Sequence, residues 1–181
     1  MGFRQGVLLA TTCFLFGVLL ACFAIDYRVL FEPLTDEVVQ DGFQYYRTFY
    51  NAPLGIKALL HGLIAVGVIA IITKIHRWDE SAVFFDGGSL AAFVFATAMY
   101  ITVTIPAIRT VVTPVEGVDT REDQIEALRV LSAGNTLIIV LLGGVLALQG
   151  GQEWARRLET RELAKIAAEE AKKIEGVKKD Q

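Results

Sequence analysis

Four long stretches of the chain carry no charged residue and consist mostly of aliphatic, aromatic and small side chains. A helix of about 20 apolar residues, rising about 1.5 Å per residue, crosses a hydrocarbon core of about 30 Å. The second stretch reaches this length when it begins at Leu54, because the Lys57 amine can extend to the membrane interface. The pattern therefore predicts four membrane-spanning helices, at about 5–25, 54–73, 87–108 and 130–150.

The segments between the predicted spans are too short for an independent globular domain. Four spans place both termini on one side of the membrane with loop 74–86 and tail 151–181, and place loops 26–53 and 109–129 on the other side. Most Lys and Arg residues outside the spans lie on the side of the termini, so the positive-inside rule predicts that this side is cytosolic. The predicted fold is an all-α membrane protein: a four-transmembrane-helix bundle over residues 1–150, a short lumenal amphipathic helix and a charged cytosolic C-terminal helix.

Loop 26–53 contains the signature of an amphipathic helix outside the spans. Thr35 can serve as its N-cap, and Asp36 and Glu37 suit the positive end of the helix dipole. Apolar side chains then recur at helical spacing, at Val39, Phe43, Tyr46 and Tyr50. We expect this helix, which ends before Pro53, to lie either on the membrane surface or on the bundle.

A second helix-start signal precedes the fourth span. Thr120 and Asp123 have the spacing of a capping box, in which each residue bonds to the backbone of the other. The helix that starts there is expected to continue without a break into the fourth span. In the tail, opposite charges four residues apart, such as Glu153 and Arg157, predict a solvated helix.

The composition excludes several classes of function. A net charge of −3 and a pI near 5.4 argue against nucleic-acid binding. The sequence lacks the HExxH, CxxC and GxxxxGKS/T motifs of zinc hydrolysis, dithiol exchange and nucleotide binding, and no predicted span contains two acidic residues. We therefore predict no catalytic residue, no metal, no cofactor and no enzyme activity. A haem or flavin absorbance spectrum of the purified protein would contradict this prediction.

Asn135 is the most informative polar residue within a predicted span, because an amide in the bilayer requires a hydrogen-bond partner on another helix. Ser132 lies on the same helix, close to it. Asn135 could hold the bundle's own helices together or offer a polar contact to a span of another protein. Every predicted span also carries small residues four positions apart, which let helix backbones approach closely. They are Gly6/Ala10, Gly17/Ala21, Ala58/Gly62, Gly88/Ala92/Ala96 and Gly143/Ala147.

Three segments of the chain carry a family resemblance: DYRVLF at 26–31, YYRTFYNAPL at 45–54 and LSAGN at 131–135. With the Leu-rich fourth span, and the order and spacing of the spans, they resemble the fungal Shr3 family of endoplasmic-reticulum membrane chaperones for amino-acid permeases. The resemblance covers roughly residues 1–150, and the first loop carries most of its specificity.

The resemblance implies a multi-pass protein of the endoplasmic-reticulum membrane with cytosolic termini, which is not itself a transporter. The implied partners are newly made amino-acid permeases, COPII coat components bound through the cytosolic tail, and the lipid bilayer. The aromatic residues of the first loop could serve as interfacial anchors or form a packed cap that contacts clients. The candidate residues for client contact or structural support are Asp26, Tyr27, Leu30, Phe31, Tyr46, Tyr50, Pro53, Ser132 and Asn135.

Lys178 and Lys179 have the spacing of a dilysine retrieval signal, which a coat receptor reads when the terminus is cytosolic. The predicted function is an ATP-independent packaging chaperone that shields permease spans and promotes COPII-dependent exit from the endoplasmic reticulum. The alternative is a structural tetraspan scaffold or an accessory subunit of another membrane complex, which would bind one partner persistently instead of several transiently.

Overall fold

The computed structural model describes the backbone of residues 3–75 and 80–179 and the side chains of residues 3–73 and 84–170. Within these described residues, four helical segments are long and apolar enough to cross a membrane, which confirms the predicted fold class: Phe3–Phe31, Leu54–Thr73, Phe84–Val112 and Arg121–Glu170. The elements are α1 (Phe3–Phe31), α2 (Asp36–Tyr50), α3 (Leu54–Ile75), α4 (Glu80–Met99), a π-helical turn (Tyr100–Thr104), α5 (Ile105–Val112) and α6 (Arg121–Lys179).

Helix α2 is the amphipathic helix that the first loop predicts. The Thr35 hydroxyl accepts a hydrogen bond from the Val38 amide at 3.4 Å, so the predicted N-cap is confirmed. The apolar residues Val39, Phe43 and Tyr46 are buried, and α2 packs against α1, α5 and α6. Of the two placements expected for this helix, the observed one is on the bundle.

The third span contains an irregular turn, which the apolar pattern did not predict. The Ile105 amide bonds to the Tyr100 carbonyl, five residues earlier, so the backbone makes one π-helical turn between α4 and α5. Pro106 follows directly and lacks an N–H group, and its ring would collide with the carbonyl four residues before it in a regular helix. The wider turn lets the helix pass the proline without ending.

Helix α6 begins at the predicted capping box and continues through the fourth span into the tail. The Asp123 amide donates to the Thr120 hydroxyl at 3.2 Å, and the Thr120 amide donates to the Asp123 carboxylate at 2.8 Å. The helix has 59 residues and is therefore roughly 90 Å long. This length is about three times the hydrocarbon thickness, so α6 extends well beyond the bundle.

Replacing Thr120 with alanine is expected to destabilise the first turn of α6 by about 1 kcal/mol, because it removes the hydroxyl that caps the Asp123 amide. Faster hydrogen exchange of the amides in the first turn would measure this fraying. Thr113→Ala is the matched control, because the Thr113 hydroxyl bonds to a carbonyl at the end of α5 and caps no amide. Equal protection of the α6 amides in both variants would contradict the prediction.

Among the described side chains, the apolar interior forms two clusters, both of which include residues of α6. One lies between α1, α2, α5 and α6 and includes Val29, Phe43 and Leu131. The other lies between α1, α3, α4 and α6 and includes Leu8, Phe93 and Leu142. Helix α6 packs against α1, α4 and α5, whereas α3 packs against α1 and α4. Helix α6 is therefore central, and α3 is peripheral.

Candidate functional site

Three of the predicted site residues meet in a buried hydrogen-bonded cluster, which we call the first polar cluster: Asp26 on α1, Tyr46 on α2 and Asn135 on α6. The Tyr46 hydroxyl donates to the Asp26 carboxyl group. The Asn135 amide donates to the other Asp26 oxygen at 3.2 Å and to the Tyr46 hydroxyl at 2.9 Å. All three side chains are at most 2% exposed. The cluster therefore joins three helices by polar contacts inside the bundle.

The chemistry of this cluster is suited to bracing the bundle. Burial raises the pKa of the Tyr46 phenol, and the facing Asp26 carboxylate raises it further, so the hydroxyl keeps its proton and acts as a donor. A buried carboxyl group needs donors, and the phenol and the amide supply them. Of the two roles expected for Asn135, the structure shows the contact with the bundle's own helices.

The remaining candidate residues lie around this cluster at different depths. Ser132 is fully buried on α6. Tyr27 and Phe31 are exposed on α1, and their rings pack against each other at a centroid distance of 5.3 Å. Leu30 and Tyr50 are half-buried, and Pro53 is exposed. The candidates thus divide into a buried group that supports the bundle and an outward group that is free to contact lipid or protein.

A second polar cluster lies where α4 packs against α6, and the apolar pattern of the sequence does not predict it. The Gln149 amide donates to Asp86 at 3.2 Å and to Ser89 at 2.9 Å, and the Gln152 amide donates to Asp86 at 3.2 Å. All four side chains are buried. The charge pattern predicts that Asp86 lies in loop 74–86, but α4 begins at Glu80 and includes it. The available signal was two glutamines three residues apart in an uncharged stretch, which lie on one helix face.

The glycines of the small-residue pairs divide into packed and open positions. A Cβ atom on Gly88 would lie 3.2 Å from Leu148, and one on Gly143 would lie 3.6 Å from Phe16, so these glycines face neighbouring helices. No described atom lies within 4 Å of the position of a Cβ on Gly6, Gly17 or Gly62. Some of the small residues therefore pack against helices of the bundle itself, whereas others contact no neighbouring helix.

The open positions belong to two outward helix faces of small residues, which we call the small-residue faces. Their members recur every three or four positions, and all are exposed. On α1 they are Gly6, Ala10, Cys13, Gly17, Ala21 and Ala24. On α3 they are Gly55, Ala58, Gly62 and Ala65. The residues of these faces are uncharged and small, so another helix can approach their backbones closely, and the exposed side chains of Phe14 on α1 and Leu59 on α3 border them.

A comparison with protein families identifies the chain. The family model of the Shr3 chaperones, described as "ER membrane protein SH3", matches residues 1–181, which is the whole sequence. The chain belongs to the Shr3 chaperone family. No curated protein and no solved structure matches this Shr3-family chain.

Membership of the Shr3 family makes this chain a multi-pass membrane chaperone of the endoplasmic reticulum, with membrane proteins as its clients. The Shr3 family is a family of chaperones and not of enzymes. In this Shr3-family protein the two polar clusters face inward, and the small-residue faces point outward. A surface for clients is therefore to be sought on the outward faces of the spans.

Proposed function

We propose that this Shr3-family protein is an ATP-independent packaging chaperone that shields the membrane-spanning helices of newly made amino-acid permeases. It also promotes the COPII-dependent exit of these permeases from the endoplasmic reticulum. The observation that carries the proposal is the pair of small-residue faces on α1 and α3, which the protein's own packing leaves open.

The physical argument starts from the state of an unfinished permease in lipid. Before all its helices are made, polar groups and broken helices are exposed to hydrocarbon, where each unsatisfied backbone group is destabilised by several kcal/mol. Small side chains let a chaperone helix approach such a surface closely, so that dispersion contacts replace the missing partner helix. Because the faces are uncharged, the same surface accepts different permease spans.

The same properties account for release without nucleotide hydrolysis. The carboxyl groups of Asp26 and Asp86 are held by donors inside the bundle, so neither is offered to a client as a strong ionic contact. A client held by close packing alone is displaced when its own later helices compete for the same surface. Release therefore follows from completion of the permease fold.

Co-purification tests the shielding step. A permease truncated after its first helices should be retained by the chaperone more strongly than the full-length permease, because the full-length chain covers its own polar and small-residue surfaces. Equal retention of both would contradict the proposal. Persistent one-to-one association with the completed permease would instead indicate an accessory subunit.

Replacing Gly17 with leucine is expected to lower retention of the truncated permease by about threefold to tenfold, which corresponds to roughly 0.7–1.4 kcal/mol of lost binding free energy. A Cβ atom on Gly17 meets no neighbouring helix within 4 Å, so the leucine side chain projects from the open α1 face and covers it. Gly150→Leu is the control, because Gly150 is equally open but lies on α6, outside the small-residue faces. Equal retention by both variants would contradict the proposal that the α1 face binds the permease.

The transport step is tested in cells by deleting the gene and following fluorescently tagged permeases. Retention of several amino-acid permeases inside the cell, with unrelated cargo unaffected, is the expected result. Cytosolic termini, coat binding by the tail and retrieval through Lys178 and Lys179 belong to the same proposal. The side chains of these two lysines lie outside the described residues, so the retrieval signal stays a prediction.

A further inference from the structure

An open groove of about 620 Å³ lies between the end of α1 and the start of α6. Leu30 forms its wall on α1. The volume lies within the range of roughly 300–1,000 Å³ that small-molecule sites occupy. Residues of α6 form the rest of the lining: Glu122, Ile125, Glu126, Arg129, Val130 and Ala133.

The groove crosses the boundary between the charged and the uncharged part of α6. The uncharged stretch of the fourth span begins at Val130, directly after Arg129, so Arg129 lies at the edge of the hydrocarbon core. Glu126 and Glu122 lie farther out along the helix axis, at about 4.5 Å and about 10 Å from Arg129. From the hydrocarbon outward, the groove therefore presents apolar side chains, then one cation, then two carboxylates.

The three charged side chains of the groove are exposed, and none of them makes an ion pair with another described residue. Other arginines at this end of the bundle are used by the fold. Arg28 pairs with Asp41 at 2.7 Å, and the Arg121 guanidinium lies 4.3 Å from the centre of the Phe43 ring. The guanidinium of Arg129 is therefore available to a ligand.

Beyond the charges, the same face of α6 continues as an exposed apolar strip. Val130, Ala133, Leu137 and Val140 follow at intervals of three and four residues, and all four are exposed. Val140 is 66% exposed, so no described helix of the bundle covers this strip. The groove and the strip together fit a molecule that is charged at one end and apolar along the rest.

The order of the charges matches the headgroup of a phosphatidylethanolamine. In this lipid the phosphate lies next to the acyl chains, and the ammonium lies farther out, beyond a short carbon linker. Arg129, at the hydrocarbon edge, suits the phosphate, because a guanidinium binds phosphate oxygens in a bidentate manner. Glu126 and Glu122, farther out, suit the ammonium, because its N–H groups donate to carboxylates.

Other headgroups match the groove less well. A choline headgroup has no N–H donor, and its recognition relies on aromatic rings, which the described lining of the groove lacks. A phosphoglycerol headgroup offers no cation to Glu122 and Glu126. The two glutamates would also repel the carboxylate of a phosphoserine headgroup. A free phosphoethanolamine would leave the apolar strip uncovered.

We propose that this groove is a binding site for one phosphatidylethanolamine molecule. The phosphate pairs with Arg129, the ammonium pairs with Glu126 and Glu122, and an acyl chain follows the apolar strip of α6. Because Leu30 lines the same groove, the bound lipid contacts α1 as well and joins the end of α1 to the start of α6. The site does not depend on the binding of a permease, so its test needs no client.

Native mass spectrometry of the lipid-depleted full-length protein in detergent tests the choice of headgroup. Phosphatidylethanolamine, phosphatidylcholine and phosphatidylglycerol with identical acyl chains are added separately. Phosphatidylethanolamine should bind about fivefold more tightly than the other two, because it alone supplies both a phosphate and N–H donors. Equal binding of the three lipids would overturn the proposal. Competition by an equal concentration of soluble phosphoethanolamine would also overturn it, because the groove would then bind a free headgroup.

Arg129→Gln should weaken the binding of phosphatidylethanolamine and phosphatidylcholine alike by about tenfold, because it removes the partner of the phosphate. Arg109→Gln is the matched control, because Arg109 is also exposed but lies on α5, outside the groove. The control should change lipid binding by less than about twofold. Similar melting temperatures of the two variants in lipid-free detergent show that both fold. Equal lipid binding by the two variants would overturn the site.

Glu126→Gln separates recognition of the ammonium from recognition of the phosphate. It should weaken the binding of phosphatidylethanolamine by about threefold and leave that of phosphatidylcholine nearly unchanged, so the preference between the two lipids narrows. Glu116→Gln removes the same charge from the exposed loop before α6 and should preserve the preference. An unchanged preference in Glu126→Gln would contradict the pairing with the ammonium. If Arg129→Gln lowered retention of a truncated permease and left lipid binding unchanged, the groove would be a protein-docking site, and the proposal would fail.

Discussion

Replacing Tyr46 with phenylalanine is expected to lower the free energy of unfolding by about 2 kcal/mol. The hydroxyl donates to Asp26 and accepts from Asn135, so its loss leaves a fully buried carboxyl group with one of its two side-chain donors. The phenyl ring itself stays in place, so the change removes hydrogen bonds and little packing. For a protein of this size the melting temperature in detergent should fall by roughly 4–8 °C.

The neighbouring tyrosine provides the control. Tyr45 is half-buried, and its hydroxyl donates to the Cys22 sulfur at 3.6 Å, which is a weak acceptor. Tyr45→Phe should therefore change the free energy of unfolding by less than about 0.5 kcal/mol. If Tyr45→Phe and Tyr46→Phe lowered the melting temperature equally, the first polar cluster would not be the brace that the geometry indicates.

Replacing Gly67 with alanine is expected to lower the free energy of unfolding by about 1–3 kcal/mol. A Cβ atom at this position would lie 2.5 Å from the tip of the Phe93 ring, which is far inside van der Waals contact. Phe93 is 1% exposed and packs in the cluster shared by α1, α3, α4 and α6, so its ring can move only by giving up contacts within that cluster. Either α3 moves outward or the core repacks around the ring, and both are unfavourable.

Gly62→Ala on the same helix should have the opposite sign. No described atom lies within 4 Å of the added methyl group, and alanine favours a helix over glycine by up to about 1 kcal/mol. Thermal unfolding of the two variants, measured in the same detergent, gives the comparison. If both substitutions were neutral, α3 would be too loosely held for Gly67 to act as its contact with α4.

The starts of the helices could be predicted from the sequence because their causes are local. Thr35 caps α2, and Thr120 and Asp123 cap α6, through bonds that span three residues, so a short stretch of sequence contains both partners. The spans were predictable for a related reason. A chain in hydrocarbon must satisfy its backbone within the segment, so an uncharged stretch of sufficient length becomes a helix.

One residue of the sequence, a proline, could have indicated the π-helical turn, but it lies in a stretch that is otherwise typical of a regular apolar helix. Pro106 lies within an uninterrupted hydrophobic stretch, and its effect on the preceding turn depends on whether the helix kinks, ends or widens. The turn packs against α6 at Gly134, where a Cβ atom would lie 3.3 Å from Val103 and 3.6 Å from the Thr104 hydroxyl oxygen. Within the part of the chain that the structure describes, the Thr104 hydroxyl has no hydrogen-bond partner, which follows from the tertiary structure.

By itself, the sequence determined four spans, their caps and the family, because length, charge and motif are properties of consecutive residues. It did not determine which partners the polar residues choose: Asn135 bonds to Asp26, 109 positions away, and Gln149 bonds to Asp86, 63 positions away. Nor did it show that Gly67 faces inward and Gly62 outward. In a soluble helix the polar face marks the outside, but in lipid both faces are apolar. Helix packing alone therefore decided which surfaces stay open to a client.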